Sequence, residues 1–147
     1  MAEYSSNAVQ TVDPGESIVF TDSVIPCYRG FIRHRDETGN FVLSGNQNRC
    51  FCNANGNAVY LIDFGANVAI PENGTAGEVS VAIAIDGATI PASSMIVTPA
   101  AVSEYFNISR AINAQIWSGC CETITVRNTS SQPILVQNAN IIFSKIR

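Results

Sequence analysis

Lysine occurs once in the 147 residues, at Lys145, and histidine and tryptophan also once each, at His34 and Trp117. Lys and Arg together number 8 against 12 Asp and Glu, a formal net charge of −4. Nucleic-acid binding draws its affinity from clustered cations that release counterions from phosphates. The balance of charge therefore argues against a nucleic-acid partner. The densest basic stretch, Arg29 to Arg35, runs straight into Asp36 and Glu37 and reads as a solvated strand end. Charge of either sign is scarce, at 14% of residues against roughly 25% in soluble domains. A monomer uses charge to keep its surface wet and dispersed. A chain this poor in it is expected to hide surface against copies of itself.

Long apolar runs are missing too. The longest inside a strand, Val81 to Ile85, falls far short of the roughly 20 residues a membrane-spanning helix needs, so no membrane partner is expected. Met1 to Ser6 lacks the basic start and apolar centre of a secretory signal. The expectation is synthesis in a cytoplasm without passage through the general secretory route. The sequons Asn73-Gly74-Thr75 and Asn128-Thr129-Ser130 then read as turn chemistry.

Chemistry is equally sparse. The 5 cysteines include Cys50-Phe51-Cys52 and the adjacent pair Cys120-Cys121, neither with the two-to-four residue gap of paired zinc ligands. They are expected to be structural thiols, packed like small hydrophobes. His34 sits between Arg33 and Arg35, and Asp63, Asp86, Glu104 and Glu122 occur singly. Asn46-Gln47-Asn48 and Asn53 to Asn57 are amide-rich but lack the carboxylates a calcium loop requires. No phosphate loop or nucleophile elbow is present. The reading is a protein without catalytic residues, metal or cofactor.

What the chain does contain is strands. Val79, Val81, Ile83 and Ile85 alternate with Ser80, Ala82 and Ala84, the period of two of a half-buried strand, and Asp86-Gly87 supplies the turn. Ile18-Val19-Phe20, Phe41-Val42-Leu43 and Thr123 to Arg127 read likewise. From Thr98-Pro99 onward helical and strand spacings compete, and the reading is a turn over 99–102 followed by a strand. Turn signals at short intervals predict an all-β, antiparallel sandwich or barrel. The first twelve residues, small and polar up to Val9 and Val12, read as an N-terminal arm able to reach a partner or a sheet edge, leaving 13–147 as the domain.

Two strands look apolar on both faces. Tyr60, Ile62 and Phe64 alternate with Val59, Leu61 and Asp63, and Ile134, Val136 and Ile142 appear opposite Leu135, Ile141 and Phe143. An antiparallel strand on a monomer's outer sheet should keep one wet face, so a neighbouring subunit is expected to cover the second. The competing reading places these strands centrally, between sheet and loops. Trp117 is expected in a core or interface, with sugar stacking as the alternative.

The runs Tyr60 to Pro71, Val79 to Gly87, Gly119 to Val126 and Ile134 to Asn140 resemble a group of small phage-encoded, C1q/tumour-necrosis-factor-like jelly-roll proteins of gut Firmicutes phages. The resemblance covers about Asn7 to Arg147. It implies an antiparallel jelly-roll sandwich of about ten strands that forms a homotrimer, serving as a head decoration protein or head-fibre tip on the capsid surface, with the major capsid protein as partner. Under this reading Tyr60, Ile62, Phe64, Ile142 and Phe143 lie at the trimer interface, and Ala2, Glu3, Tyr4, Val9 and Val12 form the capsid-binding arm. The alternative is a trimeric head that binds a receptor or glycan through loops at one end.

Overall fold

Alternation of large apolar with small or polar side chains leaves a strand one sticky face, which a second sheet must cover. The computed structural model describes residues 1–46 and 57–147 and places two such sheets face to face. Its strands are β1 (Ala2–Ser6), β2 (Gln10–Val12), β3 (Asp22–Ile25), β4 (Ile32–His34), β5 (Phe41–Ser44) and β6 (Ala58–Ala69). They continue as β7 (Val79–Ile85), β8 (Ala88–Thr89), β9 (Met95–Val97), β10 (Phe106–Ile116), β11 (Cys121–Asn128) and β12 (Ile134–Lys145). The first sheet runs β10-β6-β12-β1-β3 with β2 also on β12, and the second runs β4-β5-β11-β7-β8 with β9 also on β7. All pairings are antiparallel. The all-β jelly-roll expectation holds, with twelve strands among the described residues rather than ten.

Segment 99–105 is irregular and β10 begins at Phe106, so the turn-then-strand reading also holds. Ile18 to Phe20 is not a strand. It is flanked by the bridges Ser17 to Arg127 and Phe20 to Thr38 and held by the Gln10 side-chain amide on the Val19 main chain, with Ile18 and Phe20 buried. The pair Cys50 and Cys52, and the amides from Gln47 through Asn55, lie outside the described residues.

Residues 1–12 are not an arm. β1 lies inside the first sheet, with Glu3 opposite Ile142 on one side and opposite Ile25 on the other. β2 pairs with the start of β12. Ala2, Tyr4 and Val12 are buried. The small polar composition that reads as a tail serves instead to fit Ser5 and Ser6 into a crowded central strand.

β12 carries the decisive irregularity. Gln137 faces Asn67 and Asn140 faces Gly65, so three steps on β12 match two on β6. This is a β-bulge, with Asn138 at a φ of 52°, a conformation asparagine tolerates. The extra residue reverses side-chain parity. Ile134 and Val136 before it, and Ala139, Ile141 and Phe143 after it, all point into the core. The strand is therefore apolar on one face, and its outward positions are Leu135, Gln137, Asn140, Ile142 and Ser144.

Aromatics fill the space between the sheets. Phe41 packs against Tyr4, Phe20 and Phe143 at centroid distances of 5.0, 5.2 and 4.9 Å. His34 is not a free surface residue: it stacks on Phe41 at 4.4 Å, and its two ring nitrogens face the carbonyls of Asn40 and Phe20. Tyr60 crosses from one sheet to the other, its Oη donating to the Ser44 carbonyl at 2.6 Å. Burial, with smaller contributions from Cys27 and Cys121, pushes its phenol up to about 12. At the edge of β7, Ser93 Oγ accepts the Ile83 N–H at 2.8 Å and donates to the Ile90 carbonyl, satisfying a backbone donor that no strand reaches. Asn128, wholly buried, donates to the carbonyls of Val12 and Gln132. Its sequon is turn chemistry, as expected.

Both cross-links can be tested by their removal. Tyr60→Phe leaves the Ser44 carbonyl unpaired and should cost about 1–2 kcal/mol in denaturant unfolding at neutral pH. Because the folded phenol titrates above the unfolded value, its contribution is complete below pH 10 and is lost as pH rises from 10 towards about 12. The variant should therefore show a shallower alkaline decline. Ser93→Ala should cost about 1–3 kcal/mol by orphaning the Ile83 N–H, read from the same unfolding curves.

Candidate functional site

The outward surface of the first sheet is broad and nearly uncharged. On β6 it presents Val59, Leu61, Asp63, Gly65 and Asn67, and on β10 Asn107, Ser109, Ala111, Asn113 and Gln115. Register lines these up with the β12 and β1 positions, so that one row reads Ala111, Asp63, Ile142, Glu3. Asp63 and Glu3 are the charged groups over these four strands, and Glu3 accepts a hydrogen bond from Asn140 at 2.8 Å. The remaining positions are aliphatic, amide, hydroxyl or glycine. The face is flat, and little holds water on it beyond amides. β10 forms one edge of the sheet, with Tyr105 and Phe106 exposed there.

The expected interface residues separate across this sheet. Tyr60, Ile62, Phe64 and Phe143 are buried between the two sheets of their own chain, which corrects their placing at a subunit interface. The reason is parity: they share the inward face of β6 and, past the bulge, of β12. Ile142 alone of the five points outward. Of the expected arm, Ala2, Tyr4 and Val12 are core residues, Glu3 lies on the outer face, and Val9 is exposed between β1 and β2. Leu61, Ala111 and Leu135 also belong to the outward face, as the register of β6, β10 and the start of β12 sets them.

A second concentration of features lies at one end of the sandwich. Trp117, 62% exposed, tops the β10–β11 hairpin rather than entering the core. A Cβ at residue 45 would collide with its carbonyl, so Gly45 is required there. Gly119 turns the hairpin at a φ of 75°. Cys120 and Cys121 are exposed, a correction to the packed-thiol expectation: the hairpin tip carries them past the edge of the core. They line a small cavity with Gly30, Arg33 and Ser44, where Arg33 Nη2 lies 3.8 Å from Cys121 Sγ.

Beside it is a larger pocket of about 410 Å³, lined by Met1, Ile25, Pro26, Cys27, Tyr28, Arg29, Phe31, Ile32 and Lys145. Lys145 Nζ lies 3.7 Å from the centre of the Phe31 ring and donates to Asn46. Burial lowers its ammonium below the ordinary lysine value, and Cys27 acts the other way. Burial pushes the Cys27 thiol up, but the main-chain N–H groups of Ile32, Arg29, Phe31 and Gly30 outweigh this and leave it below the ordinary value. Neither residue stands out by sequence spacing, since more than a hundred positions separate them.

Among the described residues, no group of three or more His, Cys, Asp or Glu is placed to hold a metal. Two of the scattered carboxylates lie close together. Asp86 accepts the Thr123 N–H at 2.7 Å, and Glu122 is pushed up by burial and then by Asp86.

No family model and no curated protein matches the chain. Solved structures do. The globular domain of zebrafish complement 1qA superposes with a TM-score of 0.66 at 11% identity, covering 99% of this chain and 96% of that one. Eiger TNF from S. frugiperda gives 0.66 at 10% identity, covering 99% and 91%. The chain has the jelly-roll fold of C1q and TNF globular domains.

Proposed function

We propose that the chain is a structural virion module that works as a homotrimer on a phage capsid. The observation that carries this reading is the outward face of the first sheet. Four strands at ~4.8 Å spacing and about eight residues at ~3.4 Å span roughly 19 Å by 27 Å. That is of the same order as the ~800 Å² each partner contributes to a stable interface. A face of this extent with Asp63 and Glu3 as its charges on four strands is inexpensive to desolvate, and Leu61 and Ile142 supply apolar contact near its centre. The fold shared with C1q and TNF globular domains supports self-association. A three-fold module suits three-fold positions on a closed lattice. Capsid contact falls to the loops at an end of the sandwich, Val9 among them, because β1 is fixed inside the sheet.

Sedimentation of the purified chain should give a trimer at micromolar concentration. Ile142→Glu buries an unpaired charge, about 3 kcal/mol or more, and should weaken association at least ~100-fold while the fold persists. A stable wild-type monomer would end the proposal. Imaging of intact virions should show trimeric density on the capsid.

A second reading, a head that binds a receptor or glycan, is favoured by Trp117 and the 91% exposed Tyr28 at the same end. Reproducible glycan-array binding that disappears in Trp117→Ala, with the trimer intact, would select it over decoration alone.

A further inference from the structure

The larger end pocket is assembled from Met1, the turn between β3 and β4, and the last residues of β12. Its volume of about 410 Å³ falls within the roughly 300–1,000 Å³ of small-molecule sites. Ile25, Pro26 and Phe31 give it an apolar wall, and the lining residues with polar side chains are Cys27, Tyr28, Arg29 and Lys145. No carboxylate is among the described residues lining it. In a chain of net charge −4 this is a local reversal of sign. Lys145 is held in place rather than free to sweep through solvent: the Phe31 ring lies beneath it and Asn46 accepts from it. The pocket therefore offers a nucleophile, two cations to fix an anionic group, and room for an apolar stem. The turn's main-chain N–H groups further favour the thiolate form of Cys27.

From this cavity we propose that Cys27 is a thiolation site, taking up an anionic low-molecular-weight disulfide by thiol–disulfide exchange. The Cys27 thiolate attacks one sulfur of the disulfide, a new Cys27 S–S bond forms, and the disulfide's own S–S bond breaks. The departing half leaves as a thiolate and takes a proton from solvent. The Cys27 sulfur is oxidised and the leaving sulfur reduced, so the incoming disulfide is the only oxidant. Lys145 and Arg29 hold the carboxylates of the bound half. Cys120 and Cys121 are more exposed, but access alone does not set the rate, which depends on thiolate fraction and local charge.

The full chain is treated with oxidised glutathione in mildly acidic buffer, and the adducts are mapped by peptide mass spectrometry. Cys27 should acquire the glutathionyl group several-fold faster than Cys120 or Cys121. Arg29→Gln, a change at an exposed position, and Lys145→Gln should each slow the reaction with oxidised glutathione several-fold. Neither should alter the rate with neutral hydroxyethyl disulfide. Reaction at Cys27 no faster than at the exposed pair would overturn the proposal. So would an equal slowing of both disulfides in Arg29→Gln.

Discussion

The inserted residue in β12 governs which side chains of the first sheet meet the second. Between Gln137 and Asn140 the strand gains one position on β6, and every side chain beyond it changes sides. Without that shift Ile141 and Phe143 would face solvent, and the aromatic cluster around Phe41 would lose a member at 4.9 Å. Asn138 makes the shift tolerable by adopting a left-handed backbone, which few non-glycine residues do without strain. The outward face of the sheet owes its composition to the same event, since the changed parity beyond the bulge is what turns Asn140, Ile142 and Ser144 towards it.

The core and the outward face are thus two results of one register. Inward positions of β6 and β12 are large and apolar, and cross-sheet ties such as Tyr60 to Ser44 fix the sheets relative to each other. Outward positions mix aliphatic, amide and small side chains, with Asp63 the charge on these two strands. A surface that is neither strongly charged nor strongly greasy suits contact with a copy of itself, where shape and lost water count more than ion pairs. The end of the sandwich is built differently. Its loops gather thiols, cations and exposed aromatics that neither sheet has room for.

Much of the fold was legible. The alternation of Ala58 to Val68, the Val79 to Ile85 strand and the Thr123 to Arg127 strand can be read from period two, because apolar residues recur at every second position in each. The C-terminal strand was not, because Gln137-Asn138-Ala139-Asn140 keeps no apolar phase by which to see the insertion. Counting in strict twos across it makes a one-faced strand look two-faced, and this sent Phe143 to an interface. Ala2 to Ser6 was misread as a tail for another reason: its neighbours on the sheet include small-residue positions, and hydrophobicity gives no hint of a crowded central strand. Of the candidate residues, Ile142 lies on the outward face, as does Leu61. The end pocket was out of reach, since only the fold brings residue 145 to residues 25–32.

The exposed Cys120 and Cys121 stand on a hairpin tip, away from both sheet faces. A fluorophore coupled there would ride at the rim without obstructing the flat face of the first sheet. With Cys27, Cys50 and Cys52 replaced, energy transfer between copies labelled there could track their encounter in real time.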